Sequence, residues 1–143
     1  MTKIFNKQEP HADGNFFIPL PSDTRHYVHH PRMGADRLFL YTLIIDYYNP
    51  KEGFAFPSIE TLAVNYGKAQ DTTSRHLDDL KAAGLIDFED KGFYLPLVPL
   101  NQADFFAKFP EARARYEQAT ARADARKQAA KLRAQEWRSK YQQ

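Results

Sequence analysis

Between Gln70 and Arg75 the chain sets out a carboxamide, three hydroxyls and a guanidinium: Gln70, Thr72, Thr73, Ser74 and Arg75. A glutamine can pair with an adenine edge, and an arginine with a guanine edge or a phosphate. Serine and threonine hydroxyls can bond to either. This chemistry is recognition without bond making. Nothing nearby supplies a nucleophile with its base and orienting group, a glycine-rich phosphate loop or a convincing pair of carboxylates, so no enzyme activity is expected.

Such side chains act only if a helix presents them. The pattern predicts a helix over about 70–83, with Thr73, Leu77 and Leu80 on its buried side and Gly84 as its stop. Gln70, Asp71, Ser74, Arg75 and Asp78 then share the exposed side, with Thr72 near the start. A shorter helix precedes it. Ser58 is placed as N-cap, Ile59, Leu62, Ala63 and Tyr66 form an apolar stripe, and Gly67 ends it. Upstream, Leu38, Tyr41, Ile45 and Tyr48 recur at helical spacing, with Phe39, Leu40, Leu43 and Ile44 between them, so this helix should be central to the core. It should stop at Asn49-Pro50. Gly53-Phe54-Ala55-Phe56 reads as an edge strand. Residues 85–89 and 93–95 read as a hairpin about Asp90-Lys91-Gly92.

Helix, short strand, helix, turn, helix, hairpin is the order of a winged helix-turn-helix. The first helix of the tight pair braces the second, which fits the roughly 12 Å major groove of B-DNA. The hairpin can lie along the neighbouring backbone. The fold class expected is mostly α with a small β wing, followed by a long C-terminal helix.

The motifs Phe56-Pro57-Ser58, Leu62-Ala63, Gly67, Thr72, Arg75, Leu77, Leu80 and Gly84-Leu85-Ile86 carry a resemblance. Residues 31–86 resemble the helix-turn-helix domains of phage and plasmid replication proteins and related DNA-binding regulators. The resemblance implies double-stranded DNA as partner, at an origin or operator of a mobile element, in replication, transfer or transcription control. The candidate DNA-binding set is Ser58, Lys68, Gln70, Thr72, Thr73, Ser74, Arg75 and Lys91. The chain departs from the family pattern at Lys68 and Ala69, where an aliphatic residue and a serine are usual, and at Thr73, where an aliphatic residue is usual. Ala69 cannot cap the recognition helix, a cost of about 1 kcal/mol. Asp71, Asp78, Asp79, Glu89 and Asp90 are acidic near the expected DNA face. They favour a rival expectation, an adaptor that docks replication or transfer proteins without reading DNA.

The net charge of +2 conceals an imbalance. Residues 1–100 hold 10 Lys/Arg and 13 Asp/Glu, whereas residues 101–143 hold 10 and 5. Three parts follow: a flexible leader over 1–15, a winged helix-turn-helix with an N-terminal arm over 16–100, and a basic helical extension over 101–143. The arm is Phe16-Phe17-Ile18-Pro19-Leu20-Pro21, extended and packed on the body. Asn101 can cap a helix, with Asp104 in a capping-box position. From Pro110 onward no breaker occurs. A seam at heptad spacing runs through Phe105, Phe109, Ala112, Tyr116, Ala119, Ala123, Arg126, Ala130, Arg133 and Trp137. Packing is expected to about Tyr116, by which a second copy could also pair. Arg113, Arg115, Arg122, Arg126, Lys127, Lys131 and Arg133 are candidate phosphate contacts.

His26, His29 and His30 read as loop histidines, not zinc ligands, since no cysteine or matching carboxylate pattern accompanies them. Tyr41, Tyr47, Tyr48, Phe54 and Phe56 read as core. No cofactor or metal is expected. The absence of cysteine fits a reducing, cytoplasmic setting, and no apolar run reaches the roughly 18 residues of a membrane helix.

Overall fold

The computed structural model describes residues 2–9 and 17–142. Part of the expected leader, Met1 and residues 10–15, and Phe16 of the arm lie outside the described residues. The chain runs through a 3-10 segment (Ser22–His29), α1 (Ala35–Asp46), β1 (Tyr48–Asn49), β2 (Phe54–Ala55), α2 (Ile59–Tyr66), α3 (Gln70–Ala83), β3 (Ile86–Asp87), β4 (Leu95–Pro96), α4 (Gln102–Lys108) and α5 (Pro110–Tyr141). This is a winged helix-turn-helix followed by a long C-terminal helix.

Helix α1 is central, as its apolar circumference demands. Leu38, Leu40, Tyr41, Leu43 and Ile44 are buried, while Phe39 remains exposed. The helix ends earlier than its spacing predicts. Tyr48 leaves it to pair with Ala55, and Asn49 with Phe54. The Asn49 side chain draws the chain out of the helix, because its Oδ1 accepts from the amides of Lys51 and Glu52 at 2.9 and 3.3 Å.

The α2–turn–α3 pair follows the local signals closely. Ser58 Oγ accepts from the Thr61 amide at 3.1 Å. Gly67 closes α2 at φ 74° and Gly84 closes α3 at φ 81°, both left-handed values that a β-carbon resists. Leu62, Leu77 and Leu80 are fully buried between the helices. Ala69 occupies the N-cap of α3 with no side-chain hydrogen bond, and the Thr73 hydroxyl donates instead to the Ala69 carbonyl at 2.9 Å.

The two hairpins form one platform. Ala55 and Tyr94 exchange amide–carbonyl bonds of 2.8 Å, so β2 joins the wing. The paired wing strands, Ile86–Asp87 and Leu95–Pro96, are shorter than their patterns suggest. Of the aromatic cluster expected in the core, Tyr41 is buried, but Tyr48 and Phe56 are exposed. The arm differs too. Phe17, Ile18 and Leu20 remain about half exposed, since Pro19 and Pro21 remove two of the amides by which a strand would be fastened.

His26 and His29 lie in a 3-10 helix, not a loop, and His30 is its extended C-cap. The segment forms one wall of an aromatic nest around fully buried Phe105, whose ring lies 4.2 Å from Tyr27, 4.9 Å from His26 and 5.1 Å from Phe109, centroid to centroid. Tyr27 and Tyr41 fasten the connection into α4, Tyr27 by accepting from the Leu100 amide at 2.9 Å and Tyr41 by donating to the Leu97 carbonyl at 2.6 Å. Burial pushes the Tyr41 hydroxyl up to about 12, so it keeps its proton. Asn101 caps α4 by accepting from the Asp104 amide at 2.9 Å. The capping box closes differently from its usual form, because Asp104 takes the Asn101 side-chain amide rather than its backbone.

The sequence pattern ran the heptad seam through Phe109, but the chain breaks there. Phe109 adopts φ −124° and ψ 80°, outside the helical range, as a residue preceding proline tends to. Pro110 then opens α5.

The two caps of the helix pair give opposite expectations. Ala69→Ser should stabilise the fold by about 1 kcal/mol, and Ser58→Ala should destabilise it by about the same amount. Equilibrium denaturation of both variants checks this; no gain from Ala69→Ser would mean that the first-turn amides of α3 lose nothing by lacking a side-chain acceptor.

Candidate nucleic-acid interface

Helix α3 has one buried and one open side. Thr73, His76, Leu77, Leu80 and Ala83 are buried, whereas Gln70, Asp71 and Arg75 are exposed. Arg75 Nη2 donates to Thr72 Oγ1 at 3.3 Å, which holds the guanidinium along the first turns of the helix. Thr72 and Arg75 therefore share one polar surface, and Gln70 is exposed at the first position of the helix. Thr73 does not belong to that surface. It is fully buried and its hydroxyl is spent on Ala69.

Lysines expected to face phosphate are turned to the protein's own acids. Lys91 Nζ donates to Ser74 Oγ at 2.7 Å and the Ser74 carbonyl at 3.1 Å, and lies 3.1 Å from Asp78 Oδ2. This latch fastens the turn of the wing to α3 and occupies Ser74. Lys68 lies 3.6 Å from Asp36 Oδ2 and over the Tyr66 ring. Lys81, not singled out in the sequence, donates to the Phe88 carbonyl and lies 3.7 Å from Asp87. Ser58 spends its hydroxyl in the cap of α2. Among the described cations from Lys68 to Lys91, Arg75 alone has no carboxylate at ion-pair distance.

Asp79 does not join the acids of the exposed face. Its side chain is 14% exposed and sits between two guanidiniums, Arg32 Nε at 2.8 Å and Arg37 Nε at 3.0 Å. Burial works against charge at Arg37, but Asp79 and Asp36 outweigh it and raise its pKa. Burial likewise pushes the Asp36 carboxyl up, and the Arg37 amide and guanidinium bring it below its ordinary value. Arg32 and Arg37 thus set the angle of α3. Sequence reasoning missed them because their partner lies more than 40 residues away and no local pattern marks it.

Beside this pair, the Tyr66 hydroxyl and His76 Nδ1 share a hydrogen bond of 2.7 Å. Burial and then Arg37 lower the His76 pKa, and burial raises that of Tyr66. His29 and His30 are lowered as well, first by burial, then by Arg115 at His29 and by Arg32 and Arg115 at His30. The three histidines are engaged in packing: His26 Nε2 lies 2.9 Å from the Leu100 carbonyl, His29 edges Tyr116, and His30 Nδ1 accepts from the Arg32 amide. Among the described residues no group of three or more His, Asp or Glu is placed to hold a metal ion.

In α5, Ala112 is buried and Tyr116 touches His29 and Phe106. Beyond Tyr116 every described residue is exposed. Arg113 pairs with Glu117 at 3.0 Å, while Arg115, Arg122, Arg126, Lys127, Lys131 and Arg133 project from the helix. No helix among the described residues is long and apolar enough to cross a membrane.

Fold and open face define a winged helix-turn-helix whose second helix can enter a groove. Residues 32–86 match the model of a family described as "Helix-turn-helix domain". The match covers α1 to the first residue of β3 and supports DNA binding in general. A solved structure described as "Structure of MDR initiator" aligns at 14% identity over 78% of this chain and 98% of that chain, with a TM-score of 0.47; a likeness that loose carries no argument. No curated protein matches the chain.

The lowered histidines fix a pH dependence. Near pH 6 the unfolded chain binds protons that the folded chain refuses, since unperturbed histidine titrates near 6.5. Their contribution to stability is fully present above about pH 6.5 and is lost as the pH falls below it. Melting curves between pH 7.5 and 5.5 should show a falling midpoint; a constant midpoint would contradict the lowered proton affinity of these rings in the folded chain.

Proposed function

We propose that this chain is a sequence-specific binder of double-stranded DNA that reads its site through α3. The observation that carries the reading is the open polar side of α3, with Gln70, Thr72 and Arg75 on a helix whose opposite side is locked to α1 and α2. Gln70 and Arg75 suit adenine and guanine edges, and Thr72 suits a phosphate or a base. The role is replication, transfer or transcription control at an origin or operator of a plasmid, phage or other mobile element, a reading supported by the motif run from Phe56 to Ile86.

The segment's acids favour a second reading. Lys68 to Gly92 contains four Lys/Arg and six Asp/Glu, a balance suited to an adaptor that docks replication or transfer proteins. The two readings separate in one titration. Labelled duplexes from the native locus are mixed with the full chain and challenged with random duplex. A DNA reader selects one duplex. Arg75→Ala should then lower the ratio of specific to random affinity roughly 10- to 100-fold, the equivalent of one lost base contact. Weak binding, equal for all duplexes in both proteins and abolished by modest salt, would favour the adaptor.

A further inference from the structure

The charges of α5 are sorted around its axis. At about 100° per residue, all nine Lys/Arg of this helix fall on one half of its circumference and all four Asp/Glu on the other. The middle of the cationic half is a line of small residues, Ala112, Ala119, Ala123, Ala130 and Ala134. Arg115, Arg122, Arg126, Arg133 and Lys140 run down one side of that line, and Arg113, Lys127, Lys131 and Arg138 down the other. The line begins at buried Ala112, so the cationic half lies on the side by which α5 joins the body. A solvated helix needs no such sorting.

We propose that the cationic half of α5 is a second nucleic-acid-binding surface, which grips the phosphate backbone of duplex DNA without regard to sequence and supplies most of the affinity. The proposal rests on the DNA-binding reading above and deepens it. Two observations support it independently. The first is the sorting itself. The second is the condition of the winged helix, where Lys68, Lys81 and Lys91 are paired with Asp36, Asp87 and Asp78. Arg75 alone is a poor source of attraction for a polyanion. On α5, by contrast, Arg113 pairs with Glu117, and the other eight cations have no carboxylate at ion-pair distance among the described residues.

The same geometry disfavours other occupants. Pairing two copies along the alanine line would bring basic rows together on both flanks, in either orientation, where pairing helices place complementary charges. Alanine also buries little area, which makes for weak insertion into a lipid surface.

The chain contains a single tryptophan, Trp137, 54% exposed near the end of α5 and stacked on Tyr141 at 5.0 Å. It is a built-in reporter of the tail. The experiment titrates full-length protein with a random 30-base-pair duplex at several salt concentrations, following Trp137 emission and the anisotropy of labelled DNA. It compares the wild type with Arg115→Gln/Arg122→Gln/Arg126→Gln/Arg133→Gln, in which glutamine preserves helix propensity. Far-UV circular dichroism verifies that helix content is kept. The expected result is a change in Trp137 emission on binding, and in the variant a loss of at least 30-fold in affinity at low salt. The slope of log affinity against log salt should fall by about 3 to 4, near 0.9 for each phosphate contact removed. Unchanged affinity and slope in a variant of intact helix content would overturn the proposal. So would tighter binding of Trp137 to anionic phospholipid vesicles than to duplex, or a stable dimer whose variant binds DNA normally. The two readings fail differently. If only α3 recognition is wrong, all duplexes bind alike and the four arginines still matter. If only the tail is wrong, one duplex is still selected and the four arginines do not matter.

Discussion

The carboxylate of Asp79 holds the angle at which α3 leaves the body. Two guanidiniums approach it, Arg32 from the turn before α1 and Arg37 from the first turns of α1 itself. At 14% exposed, Asp79 is little screened by water, and loss of either arginine would leave part of its charge uncompensated. Leu77 and Leu80 bury the same helix but, being non-directional, do not fix its rotation. The ion triad and the Tyr66–His76 bond are directional and do. Because α3 is clamped from one side, Arg75 emerges on the other, with Thr72 and Gln70 at its flanks.

A second constraint is electrostatic. A helix that enters a groove needs polar groups, but a short segment with six carboxylates cannot also be strongly attractive to phosphate. The body pairs its lysines internally. The Lys91 latch holds the wing against α3, and Lys81 closes the other side against β3 and Phe88. These pairs are partly exposed and each contributes little to stability. Their larger effect is to order the face and remove its cations from solution. The positive charge of the chain is thereby concentrated in α5.

The aromatic nest makes that concentration structural rather than incidental. Phe105, with His26, Tyr27, His30 and Phe109 around it, ties the start of the basic helix to the 3-10 segment. Packing stops soon after Ala112 because the residues that follow on the same line are mostly alanine, which has little surface to bury. From there α5 is held by its own propensity: alanine, arginine, lysine, glutamine and glutamate favour the helix without tertiary support.

Much of the fold was legible in the sequence because local rules governed it. Ser58, Gly67, Gly84 and Asn101 marked helix ends through their own backbone and side-chain chemistry, and α3 runs from Gln70 to Ala83 as its periodicity predicts. The helix-turn-helix order and the polar side of α3 followed from the same rules. Tertiary structure decided what spacing cannot express. Tyr48 left its helix because a strand partner was available at Ala55. The histidine segment coiled because Phe105, more than 70 positions later, offered a ring to pack on. Lys68, Ser74, Lys91 and Asp79 lost the roles their types suggested because partners distant in the chain claimed their charges and hydroxyls. By itself the sequence determined the helix-turn-helix elements and the helix ends marked by Ser58, Gly67, Gly84 and Asn101, since those depend on neighbours within a turn or two. Only the folded chain decided which polar groups remain free, because that depends on every other charge brought within reach.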